Sequence, residues 1–271
     1  TITNLNAIFS RKIMKNKLII ITEIKDSILM DFANKYNAEV IEHKEFIGGR
    51  YSVLSESGMF PAALMGLNLN KFKNLKELVK KKNFVSALIH NVASIYTLNL
   101  KKINNSVILS YNSSLNNLGY WYQQLTAESL GKKGKGINPI LSVGPKDHHS
   151  LLQLYLDGPK DKLFTFITTN HIRKGLKINK EILLKHKINY LAGKYMGDLM
   201  HAEQKATINT FKSNKILFRE INIHNIDEYS LGQLMCYNIM ETIASAIFLN
   251  INPFNQPAVE QGKKLTKKYL L

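Results

Sequence analysis

The chain has 271 residues, 45% hydrophobic and 21% charged, with 37 Lys plus Arg against 20 Asp plus Glu and a formal net charge of +17. Those figures exclude a disordered chain, which would be poorer in Leu, Ile and Phe, and they exclude collagen-like or low-complexity arrays. A single cysteine, Cys236, excludes a disulfide scaffold and fits a reducing cytoplasm. The longest apolar runs, such as Leu18 to Thr22 and Ile243 to Leu249, are too short to span a bilayer. The excess of positive charge is almost all Lys. Arg occurs only as Arg11, Arg50, Arg173 and Arg219, and Asn and Ile are abundant, the combination that A/T-rich codons produce. Readers of nucleic acid favour Arg for bidentate contacts, and no helix-turn-helix or aromatic stacking motif accompanies the lysines. The charge therefore points to neither a nucleic acid nor a membrane.

The chain opens Thr-Ile-Thr-Asn, without Met, signal sequence or transit peptide, and Thr1 to Ser10 reads as the body of a helix whose beginning is missing. Leu18 to Thr22 is a continuous β-branched run, the signature of a buried parallel strand. Asp26 is placed to cap a helix to about Tyr36 with Ile28, Leu29, Phe32 and Ala33 on one face. Glu39 to Glu42 reads as a second strand, followed by a glycine-punctuated loop and the apolar stretch Met59 to Leu67. Residues 68–84 form a Lys-rich connection. A second region alternates strands at Val107–Tyr111, Asn138–Val143, Leu163–Thr168 and Ile216–Ile223 with helices. Those helices are expected at Ser113–Glu128, Asp147–Leu156, Leu191–Lys212, from Asp227 to about Phe248, and in the tail Pro257–Tyr269. The rhythm is that of two α/β sandwiches with parallel sheets, the first incomplete.

Polar residues gather where strands give way to helices or loops, the usual ligand position in open parallel sheets. Gly48-Gly49-Arg50 is either a glycine turn with a surface arginine or a backbone cradle, and an Arg that survives among so many Lys suggests a need for its planar fork. Gln124 and Glu128 share a helix face, and a glycine-rich basic loop (Gly131-Lys-Lys-Gly-Lys-Gly136) follows. That pattern fits a general base over an anionic substrate as well as an ordinary helix stop. In Lys146-Asp147-His148-His149-Ser150, Asp147 fits a helix cap. The adjacent histidines point apart, so they are a poor metal pair but could serve proton transfer. Gln256 and Lys263 lie seven apart where a turn runs into a helix, so a loop-borne Gln and a helical Lys either meet one substrate or simply face solvent.

Together the segments GGRYSVLSESGMFPAAL, WYQQLTAESLGKKGKG, DHHSLLQLYLDGP and NPFNQPAVEQGKKL resemble, in order and spacing, those of the glucose-6-phosphate isomerase family. The resemblance implies two sugar-isomerase (SIS) domains, each a flavodoxin-like three-layer sandwich, in a cytoplasmic homodimer of glycolysis and gluconeogenesis. On that basis residues 1–66 are the C-terminal part of the first domain and 67–100 a connecting helical segment. Residues 101–250 are the second domain, and 251–271 an active-site loop and helix. It further implies interconversion of glucose 6-phosphate and fructose 6-phosphate through a cis-enediol, without metal or organic cofactor. Glu128 would be the base, Arg50 the cation for the enediolate, His149 the ring-opening histidine donated by the neighbouring subunit and Lys263 its assistant. Gly49, Gln124 and Gln256 would hold substrate. The sequence departs from the family pattern at His148, where Gln is usual, and at Ala258, where Gly is usual. The family's phosphate-binding loop would lie before residue 1, so these 271 residues alone would bind sugar phosphate poorly and turn it over weakly or not at all. The competing reading is a phosphosugar-binding regulatory module, which needs neither Glu128 nor His149.

Overall fold

The structure, a computed structural model, describes residues 18–72, 75–185 and 188–271, so the helix expected over Thr1 to Ser10 lies outside the described residues. The chain divides into two compact units, residues 1–73 and 74–271.

In the first unit, strands β1 (Ile19–Thr22) and β2 (Glu39–Glu42) pair in parallel, Ile19 opposite Glu39, and helix α1 (Ile28–Lys35) connects them. The cap of α1 is Ser27, not Asp26. Ser27 has the extended backbone that a cap requires, and its side chain accepts from the Met30 amide at 3.3 Å. Ile28 is exposed rather than packed, and the small core is Ile20, Phe32 and Ala33 with Leu18, Leu29, Ala38 and Val40 around it. After β2 the glycine-punctuated loop tightens into a 3-10 helix, Gly49–Leu54, and α2 (Glu56–Leu64) takes up most of the apolar stretch.

The second unit contains a four-stranded, all-parallel sheet in the order β4-β3-β5-β6: β3 (Asn105–Ser110), β4 (Asn138–Val143), β5 (Lys162–Thr169) and β6 (Phe218–Ile223). Parallel neighbours need crossover helices. These include α4 (Asn116–Leu130) and α5 (Met196–Ser213), while α3 (Lys82–Leu100) precedes the sheet and α6 (Glu228–Leu249) and α7 (Val259–Leu270) follow it. Alternation along β3 sends Val107, Leu109 and Tyr111 into one core with Phe164, Phe166 and Phe211, and Ile108 into the other with Leu118, Tyr122 and Leu234. The result is a three-layer sandwich.

Several expected boundaries move, each for a local reason. The helix expected over Asp147–Leu156 is split into a 3-10 turn, Lys146–His148, and a short helix, Leu152–Asp157. The Asp147 carboxylate turns back to the end of β4, accepting from the Val143 amide at 2.7 Å and Ser142 Oγ at 3.0 Å, so it caps no helix. A 3-10 turn at Ser113–Leu115 precedes α4. Helix α5 starts at Met196 rather than Leu191, because the Asp198 carboxylate accepts from the Tyr195 amide at 2.8 Å and Gly193 upstream is left-handed.

One charged pair lies inside this sandwich. Arg219 of β6 grips Glu241 of α6 with both terminal nitrogens, Nη2 to Oε2 at 3.1 Å, while its Nε donates to Thr165 Oγ1 of β5 at 2.8 Å. Tyr122 of α4 donates to Glu241 Oε2 at 2.8 Å, Tyr237 to Oε1 at 3.1 Å, and Asn91 of α3 reaches both Glu241 and Tyr237. Burial opposes both charges, but each partner's field outweighs it, holding the Glu241 carboxyl below and the Arg219 guanidinium above their ordinary ranges. Removing one partner strands the other, so Glu241→Gln is expected to cost about 3–5 kcal/mol in denaturant unfolding. Trp121, the only tryptophan, packs against the core cluster that includes Tyr122 and reports the transition. A depressed carboxyl stabilises above its unfolded pKa, and that contribution is lost as pH falls through the folded value. Wild-type stability therefore declines in acid more steeply than that of the variant; parallel acid profiles would contradict this.

Candidate active site

Helix α4 buries Tyr122, Leu125, Thr126, Ser129 and Leu130 and leaves Gln124 and Glu128 on its outer face. Gln124 Nε2 donates to Glu128 Oε1 at 3.0 Å, which fixes the carboxylate at the end of the helix. There a cleft of about 480 Å³ opens between the end of α4, the glycine-basic loop and the turn that leads into α7. Glu128, Lys133, Asn255 and Gln256 all line it. Two residues 128 positions apart in sequence, Glu128 and Gln256, thus meet at one concavity.

The basic loop is engaged in holding this cleft together. Lys132 Nζ donates to the carbonyls of Ser129 (2.9 Å) and Asn252 (2.5 Å), and Lys135 Nζ donates to that of Leu249 (2.8 Å). Cations at helix C-termini meet carbonyls that no amide within the helix can satisfy. The turn is further fixed by Asn252 Oδ1, which accepts from the Phe254 amide at 2.8 Å. Gln256 precedes the helix and Lys263 lies on it. Lys263 is exposed, pairs with Glu260 at 2.6 Å and does not line the cleft.

The paired histidines separate as their spacing requires. His148 turns inward, against Tyr111 Oη at 2.7 Å, and burial lowers its pKa. His149 is exposed. Glu128, before β4, and His149, after it, stand at opposite ends of that strand, whose six residues span about 20 Å.

Arg50 belongs to the first unit, in the 3-10 helix Gly49–Leu54. It is buried, with its guanidinium 5.3 Å from the Tyr51 ring centroid. The loop before it is pinned by His43, whose Nε2 lies 2.9 Å from the Ile47 carbonyl and whose Nδ1 lies 2.5 Å from Glu56 Oε1. A Cβ added at Gly49 would meet no atom within 4 Å, so local packing does not demand glycine there.

Residues 12–270 match the family model described as phosphoglucose isomerase. The chain belongs to the phosphoglucose isomerase family. Over 258 residues it is 36% identical to glucose-6-phosphate isomerase of Methanocaldococcus jannaschii, covering 93% of this chain and 62% of that one. Over 275 residues it is 34% identical to the probable glucose-6-phosphate isomerase of Methanococcus maripaludis, covering 98% of this chain and 62% of that one. The chain thus spans about 62% of the length of these curated relatives. A hypothetical protein from Thermus thermophilus has the same fold, with a TM-score of 0.85 at 27% identity over 99% of this chain and 67% of that one. The fold is shared too by a glucose-6-phosphate isomerase from Chlamydia trachomatis, with a TM-score of 0.76 at 18% identity over 98% of this chain and 55% of that one.

In this member of the phosphoglucose isomerase family the sequence pattern marked Glu128 and Gln256 but not Lys132 as the residue that joins their two segments. Its contacts are to backbone carbonyls, which any sequence supplies. Lys132→Met is expected to loosen the turn, raising amide hydrogen exchange across residues 251–258 while the sheet amides stay unchanged. Unchanged exchange in the turn would show that it is held by other contacts.

Proposed function

We propose that the chain carries the catalytic base of an aldose–ketose isomerase acting on glucose 6-phosphate and fructose 6-phosphate. The observation that carries this reading is the convergence of Glu128, oriented by Gln124, with Gln256 on one cleft, together with family membership. The reaction moves a proton between C1 and C2 of the open-chain sugar. Glu128 takes the proton from one carbon, giving a cis-enediolate, and returns it to the other; a carboxylate suits both directions of transfer. Arg50 stabilises the negative oxygen of that intermediate. Gln124, Gln256 and the backbone at Gly49 hold the sugar phosphate, and the room left at Gly49 supports a ligand approaching there.

Ring opening needs a further proton carrier, and His149 has that role in this reading, with Lys263 assisting. Because Glu128 and His149 lie at opposite ends of strand β4, a single copy does not bring both to one sugar. Two copies pair in the proposed enzyme, each offering His149 to the other's site, in a glycolytic homodimer of the cytoplasm. The phosphate-binding loop that the resemblance puts upstream lies outside these residues, so turnover by the 271 residues alone is proposed to be slow.

Proton exchange reads slow turnover directly. With fructose 6-phosphate in D2O, the wild-type chain is expected to incorporate deuterium from solvent over hours, and Glu128→Gln to incorporate none while still binding the sugar phosphate. Exchange by Glu128→Gln at the wild-type rate would remove Glu128 as base. Binding without exchange by the wild type would favour a regulatory module. Separately, Gly49→Val is expected to change unfolding stability by no more than about 0.5 kcal/mol while weakening sugar-phosphate binding; undiminished binding would dismiss Gly49 as a contact.

A further inference from the structure

A larger cleft, about 860 Å³, lies in the second unit beyond the C-terminal end of β5, at the opposite end of the strands from Glu128, and contains none of the residues assigned to isomerisation. We propose that it is a binding site for a small molecule bearing linked phosphates, such as a nucleoside diphosphate or a short inorganic polyphosphate. The proposal does not rest on the isomerase reading.

The first ground is charge. Arg173, Lys177, Lys194 and Lys205 all line the cleft, and among the described residues none of the four forms an ion pair. The one carboxylate in the lining, Asp198, is already engaged: its oxygens accept from the Arg173 amide at 2.9 Å and the Tyr195 amide at 2.8 Å. Those same bonds hold its carboxyl below the ordinary range. Four cations outnumber the one carboxylate of the lining, whose charge also acts on Lys194 and Arg173, so the cleft is net positive and its concave walls focus that field. His201 also lines the cleft.

The second ground is rigidity. Residues 174–178 and 194–197 are zipped together by Ile178 N to Lys194 O (2.8 Å), Met196 N to Leu176 O (2.8 Å) and Gly197 N to Lys174 O (3.0 Å). They cross so closely that a Cβ at Gly197 would sit 2.1 Å from the His171 carbonyl. Arg173 itself is left-handed, at φ +59°, a conformation uncommon for any residue but glycine. The chain thus holds one of its few arginines in an unfavourable backbone state at the rim of this cleft, where a guanidinium fork matches phosphate oxygens.

The third ground is size and shape. The volume suits a nucleotide-sized ligand rather than a lone phosphate, and Tyr190, largely exposed, offers an aromatic face at its edge. The position, outside the carboxyl ends of the strands, is where open α/β sheets commonly bind ligands.

Isothermal titration of the chain with sodium triphosphate, ADP and inorganic phosphate tests this. Triphosphate and ADP are expected to bind, and monophosphate about tenfold more weakly or worse. Arg173→Ser with Lys205→Ser should weaken both tight ligands about a hundredfold, tenfold for each charge-assisted hydrogen bond removed. Lys101→Ser with Lys212→Ser, away from the cleft, should leave them unchanged, as should Glu128→Gln. Tyr190→Ala distinguishes the sources: loss confined to ADP identifies a nucleotide, and equal retention of both identifies the linked phosphates alone. Should the double serine variant fail to fold, Lys205→Glu is read in its place. The proposal is overturned if neither triphosphate nor ADP binds the wild type, if the distant pair of substitutions weakens binding equally, or if inorganic phosphate binds as tightly as both.

Discussion

The second unit is organised around a buried ion pair. Arg219 and Glu241 join β6 to α6, and through Thr165, Tyr122, Tyr237 and Asn91 they draw in β5, α4 and α3. A charge in this core is tolerable only because every oxygen of Glu241 is met by donors, so the elements must keep one relative placement. The cleft inherits that placement. Glu128 lies six residues beyond Tyr122 on α4, about 9 Å along the helix. The turn bearing Gln256 follows α6, whose last residue, Leu249, lies about 12 Å beyond Glu241. Lys132 and Lys135 then close the gap by tying the loop after α4 to the carbonyls at the end of α6 and of the turn.

Positive charge has distinct uses within the same composition. Lys132 and Lys135 neutralise helix ends, Arg219 serves the core, and Arg173 with its lysine neighbours faces a cleft, none of them in an ion pair among the described residues. A codon bias toward Lys leaves Arg where a planar fork is needed, and Arg219 and Glu241 illustrate this more directly than Arg50 does.

Much of the fold was legible because it rests on local pattern. The parallel strands Ile19–Thr22, Glu39–Glu42 and Asn138–Val143 stand where apolar runs placed them, and Asp227 caps α6 as read, accepting from the Ser230 amide at 2.8 Å. What escaped depended on competition between neighbours or on distance along the chain. Ser27 and Asp26 are both good caps, and only backbone conformation chose between them. Asp147 had a better partner in the strand behind it than in a helix ahead. Tyr122 and Glu241, 119 residues apart, carry no local signal of their contact. The same holds for the site: Glu128 with Gln124 is an i, i+4 pair readable from spacing, whereas the meeting of Glu128 with Gln256, and of Arg173 with Lys205, follows only from the fold.

Catalysis in the proposed enzyme needs Glu128 and His149 from different copies. Mixing Glu128→Gln chains with His149→Ala chains tests this most directly, because a mixed pair contains one site with both residues intact. Deuterium incorporation into fructose 6-phosphate is expected to be absent or minimal with either variant alone and to appear on mixing. Incorporation that stays at the sum of the two variants, while the wild type exchanges, would contradict a site shared between copies.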